Sequence, residues 1–316
     1  MLGTREIYGE TLVELGRENE HIVVLDADLS SSTRTSKFGE KFPERFFNLG
    51  VSEQDMIDTA AGLAAAGKIP FASTFAIFAT GRAWEMIRQS VCYPKSNVKI
   101  VATHGGITVG PDGASHQSIE DIALMRVLPN MTVIVPADAY EARAAIRFAV
   151  QYRGPVYIRL ARDKYPVLYS PDLHFEPGRA RVHQTGQEAT IIATGLMVSE
   201  SMKAIDLLAG QGLRVGLINM SSIKPLDRQA ILEAARSTGA IVTAEEHSII
   251  GGLGSAVAEV VAEEWPVPVK RIGVRDLFGT SGDPQALLAH YGLTAQEIAR
   301  AVEEAIRLKA KGENVR

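Results

Sequence analysis

Glu53 stands in the run Gly50-Val51-Ser52-Glu53-Gln54-Asp55, where a loop gives way to an alanine- and glycine-rich segment. Ser52 to Asp55 has the spacing of a capping box, so Ser52 is the expected N-cap and Glu53 falls in the first helical turn. Alanines at 60, 61, 64, 65 and 66 let neighbouring backbone pack close to this helix. A carboxylate against such a surface loses hydration, and its proton affinity rises unless a partner charge compensates. That suits a group that shares a proton with a weakly basic ligand nitrogen. Taken alone, Glu53 fits a dipole-complementing role better, because structural carboxylates outnumber catalytic ones.

Further along, the loop His104-Gly105-Gly106-Ile107-Thr108-Val109-Gly110-Pro111-Asp112-Gly113-Ala114-Ser115-His116-Gln117 combines glycines, two histidines and an aspartate. Glycines permit positive φ and close ligand approach. Histidines exchange protons near neutral pH, and Asp112 can accept hydrogen bonds from hydroxyls. His104 and His116 lack the helical spacing of metal ligands, so no metal is expected. A polar ligand site and a structural loop fit these residues equally well. Ser73-Thr74-Phe75-Ala76-Ile77-Phe78 sets two aromatics three residues apart; they serve either core packing or the stacking of a flat ring. Arg5 and Arg162 are isolated arginines, the side chain best shaped for a phosphate.

The elements that must position these groups alternate along the chain. The pattern predicts a helix over residues 4–17 capped by Thr4, and strands at 21–25, 46–49, 69–73, 98–102, 131–135 and 155–160. Helices follow at 52–66 and 80–93. Further capping boxes are read at Ser118/Asp121 and Asp138/Glu141. Residues 166–186, rich in proline and glycine, read as a crossing linker with a short strand near 179–183. A second alternating series runs from 189 onward, ending in a polar tail, 309–316, that is expected to fray. The fold class is therefore α/β: two domains, 1–165 and 187–316, each a mostly parallel sheet with helices on both faces. Such sheets gather ligands at the carboxyl ends of their strands, which puts the distinctive loops on one rim. Gly251-Gly252-Leu253-Gly254 is an incomplete dinucleotide fingerprint, read as a tight turn, and no chemistry is assigned to the second domain.

Composition narrows the class. The 316 residues are 46% hydrophobic and 22% charged, with formal net charge -4, which argues against a general nucleic-acid or anionic-membrane binder. The lone cysteine, Cys92, permits no internal disulfide and reads as packing. With no signal peptide or spanning segment visible, a cytoplasmic protein is expected.

Gly50-Val51-Ser52-Glu53-Gln54, Ser73-Thr74-Phe75 with Phe78, the His104 loop ending Asp112-Gly113-Ala114-Ser115-His116-Gln117, and Pro129-Asn130-Met131 together resemble the transketolase family, in order and in spacing. The resemblance covers essentially the whole chain but only the C-terminal half of a full-length member: the pyrimidine-binding domain and the small C-terminal domain. It implies thiamine diphosphate bound between two chains. Glu53 would exchange a proton with the aminopyrimidine ring, Phe78 would stack on that ring, Phe75 would wall it, and Asp28 would lie beside the cofactor at the chain interface. His104, Asp112 and His116 would contact sugar hydroxyls, with both histidines able to move protons. Arg5, Ser32 and Arg162 would bind a sugar phosphate. Gly81 departs from the family, where many members carry a tyrosine.

The resemblance also implies what lies elsewhere. The family holds Mg2+ and the diphosphate through a Gly-Asp-Gly motif followed by an Asn, and Gly110-Pro111-Asp112-Gly113 and Gly282-Asp283-Pro284 do not supply it. The expectation is a split transketolase. This chain pairs with an N-terminal-half subunit that carries Mg2+, self-associates as a dimer into a heterotetramer, and transfers a ketol unit between sugar phosphates of the pentose phosphate pathway. Alternatives are half of a 1-deoxyxylulose-5-phosphate synthase, against which His104 argues, a 2-oxo acid dehydrogenase beta-type subunit, and a non-enzymatic scaffold.

Overall fold

The computed structural model describes residues 1–313 and consists of two sheet-centred units. The first sheet has seven strands, in the order Ser222–Lys224, Thr132–Ile134, Val156–Arg159, Lys99–Ala102, Ile69–Ser73, Ile22–Asp26 and Phe46–Asn48. All pair in parallel except Ser222–Lys224, which comes from the second half of the chain and runs antiparallel to Thr132–Ile134. Its central strands are buried on both faces, as expected where helices cover both sides.

The second sheet orders Val269–Val274, Ile241–Ser248, Ala189–Ala193, Val215–Asn219 and Arg181–Gln184. Arg181–Gln184 is antiparallel to Val215–Asn219, so the strand read near 179–183 closes one edge of this sheet. Cys92 is buried in the first unit's core, where burial pushes its thiol up to about 11. The last helix runs Ala295–Glu313, so the expected fraying does not begin at 309; residues 314–316 lie outside the described residues.

Local signals held unevenly. Asp138 caps the helix Ala139–Gln151, its side chain accepting from the Glu141 N–H at 2.8 Å. The other boxes do not form. Ser52 occupies the N-cap of Glu53–Ala65 but makes no side-chain cap bond. Thr4 starts the helix Thr4–Glu18 while its hydroxyl accepts from the Ala161 N–H at 2.9 Å instead. Asp121 is taken by Tyr157 and Arg159. For Thr4 a distant backbone donor takes the hydroxyl, and for Asp121 a buried phenol and guanidinium claim the carboxylate, before the local turn does. The helix expected over 80–93 starts earlier and is broken: π-helical turns at Phe78–Arg82 and Ile87–Cys92 flank a short α turn, Trp84–Met86. A π turn carries an extra residue per turn and re-aims the side chains at its ends.

Candidate functional site

Four adjacent strands of the first sheet, Lys99–Ala102, Ile69–Ser73, Ile22–Asp26 and Phe46–Asn48, end on one rim. The loops that leave them carry Thr103–Gln117, Thr74–Phe78, Ala27–Ser32 and Leu49–Glu53, so the topology gathers the expected residues as the sheet rule requires. Two of these loops are tied to each other. Ala76 N–H donates to the Thr103 carbonyl at 2.7 Å, and Thr103 N–H to the Thr74 carbonyl at 3.1 Å.

Glu53 begins its helix almost fully buried, at 4% exposure. The compensating charge is Arg82, whose Nη1 donates to Glu53 Oε1 at 3.0 Å. The same guanidinium lies 4.1 Å from the centroid of the Phe78 ring. Phe78 and Arg82 begin and end one π turn, and Arg82 alone touches both the Phe78 ring and Glu53. Phe75 stacks on Phe78 with centroids 5.7 Å apart and planes 14° apart. The threonine beside it, Thr74, keeps a buried hydroxyl with no protein partner.

His104 stacks on Phe75 itself, with centroids at 3.7 Å. Its backbone adopts φ 61°, a region that side chains rarely enter. The stack and a 2.8 Å hydrogen bond between Thr103 Oγ1 and His104 Nδ1 accompany that conformation. Burial, reinforced by the charges of Arg5 and Arg162, pushes its imidazole down to about 3. The ring is therefore neutral near pH 7, a hydrogen-bonding group that accepts a proton only reluctantly. His116 sits edge-on to Phe78 at 5.4 Å and bonds Ser115 Oγ at 2.9 Å. Both histidines thus border the aromatic pair.

Arg5 and Arg162 line one cleft of about 240 Å³ with Thr108, Val109 and Pro111. Arg5 donates to the Ser32 carbonyl at 3.1 Å, which places Ser32 beside it. Arg162 donates to the Val109 carbonyl and, at 3.1 Å, to Asp112. Arg5 and Ser32, each near a helix start, and Arg162 therefore lie next to the His104 loop. Asp28, at φ 64°, is exposed and held by Asn48, whose Nδ2 donates to Asp28 Oδ1 at 3.1 Å. It faces outward at the rim, apart from the Glu53–Phe78 pair. Gly81 is exposed in the π turn, and a Cβ there would meet only Ile77 Cδ1, at 3.9 Å. No group of three His, Cys, Asp or Glu side chains gathers to hold a metal among the described residues.

Sequence reasoning missed Arg82 and Thr103. Arg82 carried no motif; only its place four residues after Phe78 on a helical stretch could have pointed to it. Thr103 could be found only from the strand end it occupies.

Comparison with known proteins agrees with this arrangement. Residues 1–167 match the family model described as transketolase, pyrimidine binding domain, and residues 178–298 match transketolase, C-terminal domain. The chain is 52% identical to a Methanocaldococcus jannaschii protein described as "Putative transketolase C-terminal section", over 96% of each chain. It is 44% identical to a 6-deoxy-6-sulfo-D-fructose transketolase subunit from Clostridium sp., over 96% of this chain and 95% of that one. A solved structure described as a split gene transketolase, inactive beta4 tetramer, superposes with a TM-score of 0.92 at 58% identity, covering 98% of this chain and all of the other. The two family models, which together span most of the chain, and these relatives make this chain a member of the transketolase family, corresponding to its C-terminal half.

Proposed function

We propose that this chain is the C-terminal subunit of a two-chain transketolase, and that it moves a two-carbon ketol unit from a ketose phosphate to an aldose phosphate. The observation that carries the reading is Arg82. A planar, nitrogen-bearing group already bridges the Glu53 carboxylate and the Phe78 face, at 3.0 Å and 4.1 Å. Glu53 and Phe78 thus fit a flat ring that needs a proton-sharing acid at its edge and an aromatic surface beneath it, as the pyrimidine of thiamine diphosphate does.

When bound, thiamine diphosphate supplies the electron sink for breaking the donor carbon–carbon bond. The chain's own residues do the rest. Glu53, screened from water, holds a proton against the ring edge and takes it back. Phe78 and Phe75 keep the ring flat and dry. Neutral His104 and the neighbouring His116 offer hydrogen bonds to substrate hydroxyls, and Asp112 accepts from another. Arg5 and Arg162, with Ser32, hold the anionic end of the sugar. The sulfonated sugar in the name of one relative fits the same chemistry, since a guanidinium fork binds a sulfonate as it binds a phosphate. Asp28 lies on the side a partner subunit would cover. That partner, bearing Mg2+ and the diphosphate, completes the site, and two such pairs form the heterotetramer.

The test mixes this chain with an N-terminal-half subunit and assays xylulose 5-phosphate with ribose 5-phosphate, then pyruvate in place of the ketose. Ketol transfer by the mixture and by neither subunit alone is the expected result. Full-rate transfer by this chain alone would contradict the split reading. Turnover of pyruvate instead would transfer the assignment to a 1-deoxyxylulose-5-phosphate synthase or 2-oxo acid dehydrogenase.

A further inference from the structure

The second unit carries two adjacent buried carboxylates with different tasks. Glu245 accepts from Leu253 N–H and Gly254 N–H, each at 2.7 Å, and closes the start of the helix Leu253–Glu264. Glu246 reaches the other way, across the seam between the sheets. Its Oε1 accepts from the Thr108 N–H at 2.7 Å, in the middle of the His104 loop. Gly106, at φ 89°, passes so close that a Cβ would fall 2.2 Å from that same oxygen. Tyr165 donates to Oε2 at 3.4 Å. Arg159 binds the Glu246 carbonyl at 2.9 Å and the Ser118 carbonyl at 3.2 Å, so one guanidinium holds both Glu246 and the far end of the loop.

A buried carboxylate is costly unless its bonds return the loss. The side-chain bonds of Glu246 all go to the His104 loop and to Tyr165, none to its own strand, Ile241–Ser248. The joint it grips, Gly106 to Thr108, connects His104 to the short 3-10 helix Ile107–Asp112. Asp112 ends that helix, and the Val109 carbonyl within it receives Arg162. Movement at Thr108 would therefore shift the hydroxyl-contacting and phosphate-contacting groups together.

We propose that Glu246 is a positioning residue for sugar-phosphate recognition: from the second domain it fixes the Gly106–Thr108 joint, and so the stance of Asp112 and Arg162 relative to His104. The inference rests on the ketol-transfer reading above. Misplacement of about 1 Å at such groups costs up to about 100-fold in rate, whereas Glu53 and Phe78 belong to other loops and keep their geometry.

The assembled two-subunit enzyme tests it, with Glu246→Ala, Glu246→Gln and Gly106→Ala. Gln retains an oxygen that accepts from Thr108. The expected result is a rise of about tenfold or more in KM for the ketose phosphate in Glu246→Ala, recovery to within about threefold in Glu246→Gln, and thiamine diphosphate affinity within about twofold of wild type throughout. Gly106→Ala, which leaves the carboxylate in place but pushes it away, should reproduce the KM effect. The double variant should fall well short of the product of the two single effects. In this chain alone, hydrogen exchange of the segment 104–117 should quicken in Glu246→Ala while the segment 50–66 stays as it was. Should Glu246→Ala fail to fold, Gly106→Ala and Glu246→Gln decide the matter. Wild-type KM in Gly106→Ala and Glu246→Ala overturns the inference, as does an equal loss of KM, kcat and cofactor affinity without recovery by Gln. An inactive wild-type pair would instead overturn the proposed function, with the exchange experiment still reading the loop.

Discussion

Glu53 and His104 make opposite demands on their surroundings. Glu53 needs a proton path, and its single visible partner is the half-exposed Arg82. An exposed-side ion pair contributes about 0–1 kcal/mol. Glu53→Gln keeps the hydrogen bond and the volume, so the expected outcome is loss of ketol transfer by the assembled pair with a change of unfolding free energy below about 1 kcal/mol. Equilibrium urea unfolding beside the coupled assay checks both; retained turnover would remove its assigned role. His104 is buried and crowded by positive charge, which holds it near 3 in the folded chain against an unfolded value of 6.5. The unfolded chain therefore binds this proton first as pH falls. Stability is expected to hold above pH 6.5 and to decline progressively as pH drops from 6.5 toward 3. In His104→Asn that decline should be shallower, seen as a smaller difference between urea midpoints at pH 7 and pH 4.5; identical differences would remove the effect.

At the scale of elements, Asp138 shows how one side chain can settle two segments. Its Oδ1 caps the helix Ala139–Gln151, while its Oδ2 accepts from Leu168 N–H at 2.7 Å and Tyr169 N–H at 2.9 Å. Asp138→Ala removes a cap worth about 1 kcal/mol and strands two backbone donors, each costing about 1–3 kcal/mol. A loss of about 3–7 kcal/mol is expected from urea unfolding, and a loss below about 1 kcal/mol would mean water replaces the carboxylate. This residue also marks what was legible beforehand. The strand–helix alternation, the rim and the Asp138 cap follow from period and spacing that a short window contains. Thr4, Ser52 and Asp121 misled because their local signatures were genuine while their partners, or the lack of one, were decided elsewhere. Ala161 claims the Thr4 hydroxyl, and Tyr157 with Arg159 claims Asp121. The π turns at Phe78–Arg82 and Ile87–Cys92 leave no periodic trace, since one extra residue per turn does not disturb an apolar stripe this short. Glu246 was invisible for a further reason: its contact with Thr108 spans 138 positions.

The whole molecule is stitched across its two sheets. Ser222–Lys224 extends the first sheet from the second half, Lys224 Nζ donates to the Arg126 and Leu128 carbonyls, and Asn219 binds the buried Glu141. Arg159 lies at the middle of this seam, with Asp121 at 2.8 Å. So many shared buried polar contacts predict joint unfolding of the two units. Trp84 lies in the first unit and Trp265 in the second, so single-tryptophan variants report each separately. Coincident urea midpoints are expected, and separated ones would show that the seam yields first. Arg159→Met leaves Asp121 buried without its cation, and a loss of about 3–5 kcal/mol is expected. No helix among the described residues is long and apolar enough to cross a membrane.

The guanidinium resting on Phe78 has a consequence for loading. A flat ligand seated on Phe78 with its edge at Glu53 would take the place Arg82 now fills, so its affinity would be a net value from which a displaced arginine has been subtracted. Losing an ion pair of about 0–1 kcal/mol and a cation–π contact of about 0.5–1 kcal/mol, together about 0.5–2 kcal/mol, corresponds to roughly two- to thirtyfold in a dissociation constant. Arg82→Ala should thus tighten thiamine diphosphate binding by the assembled pair by that factor in titration calorimetry. Weaker binding would show that the arginine, once pushed aside, keeps hold of its visitor.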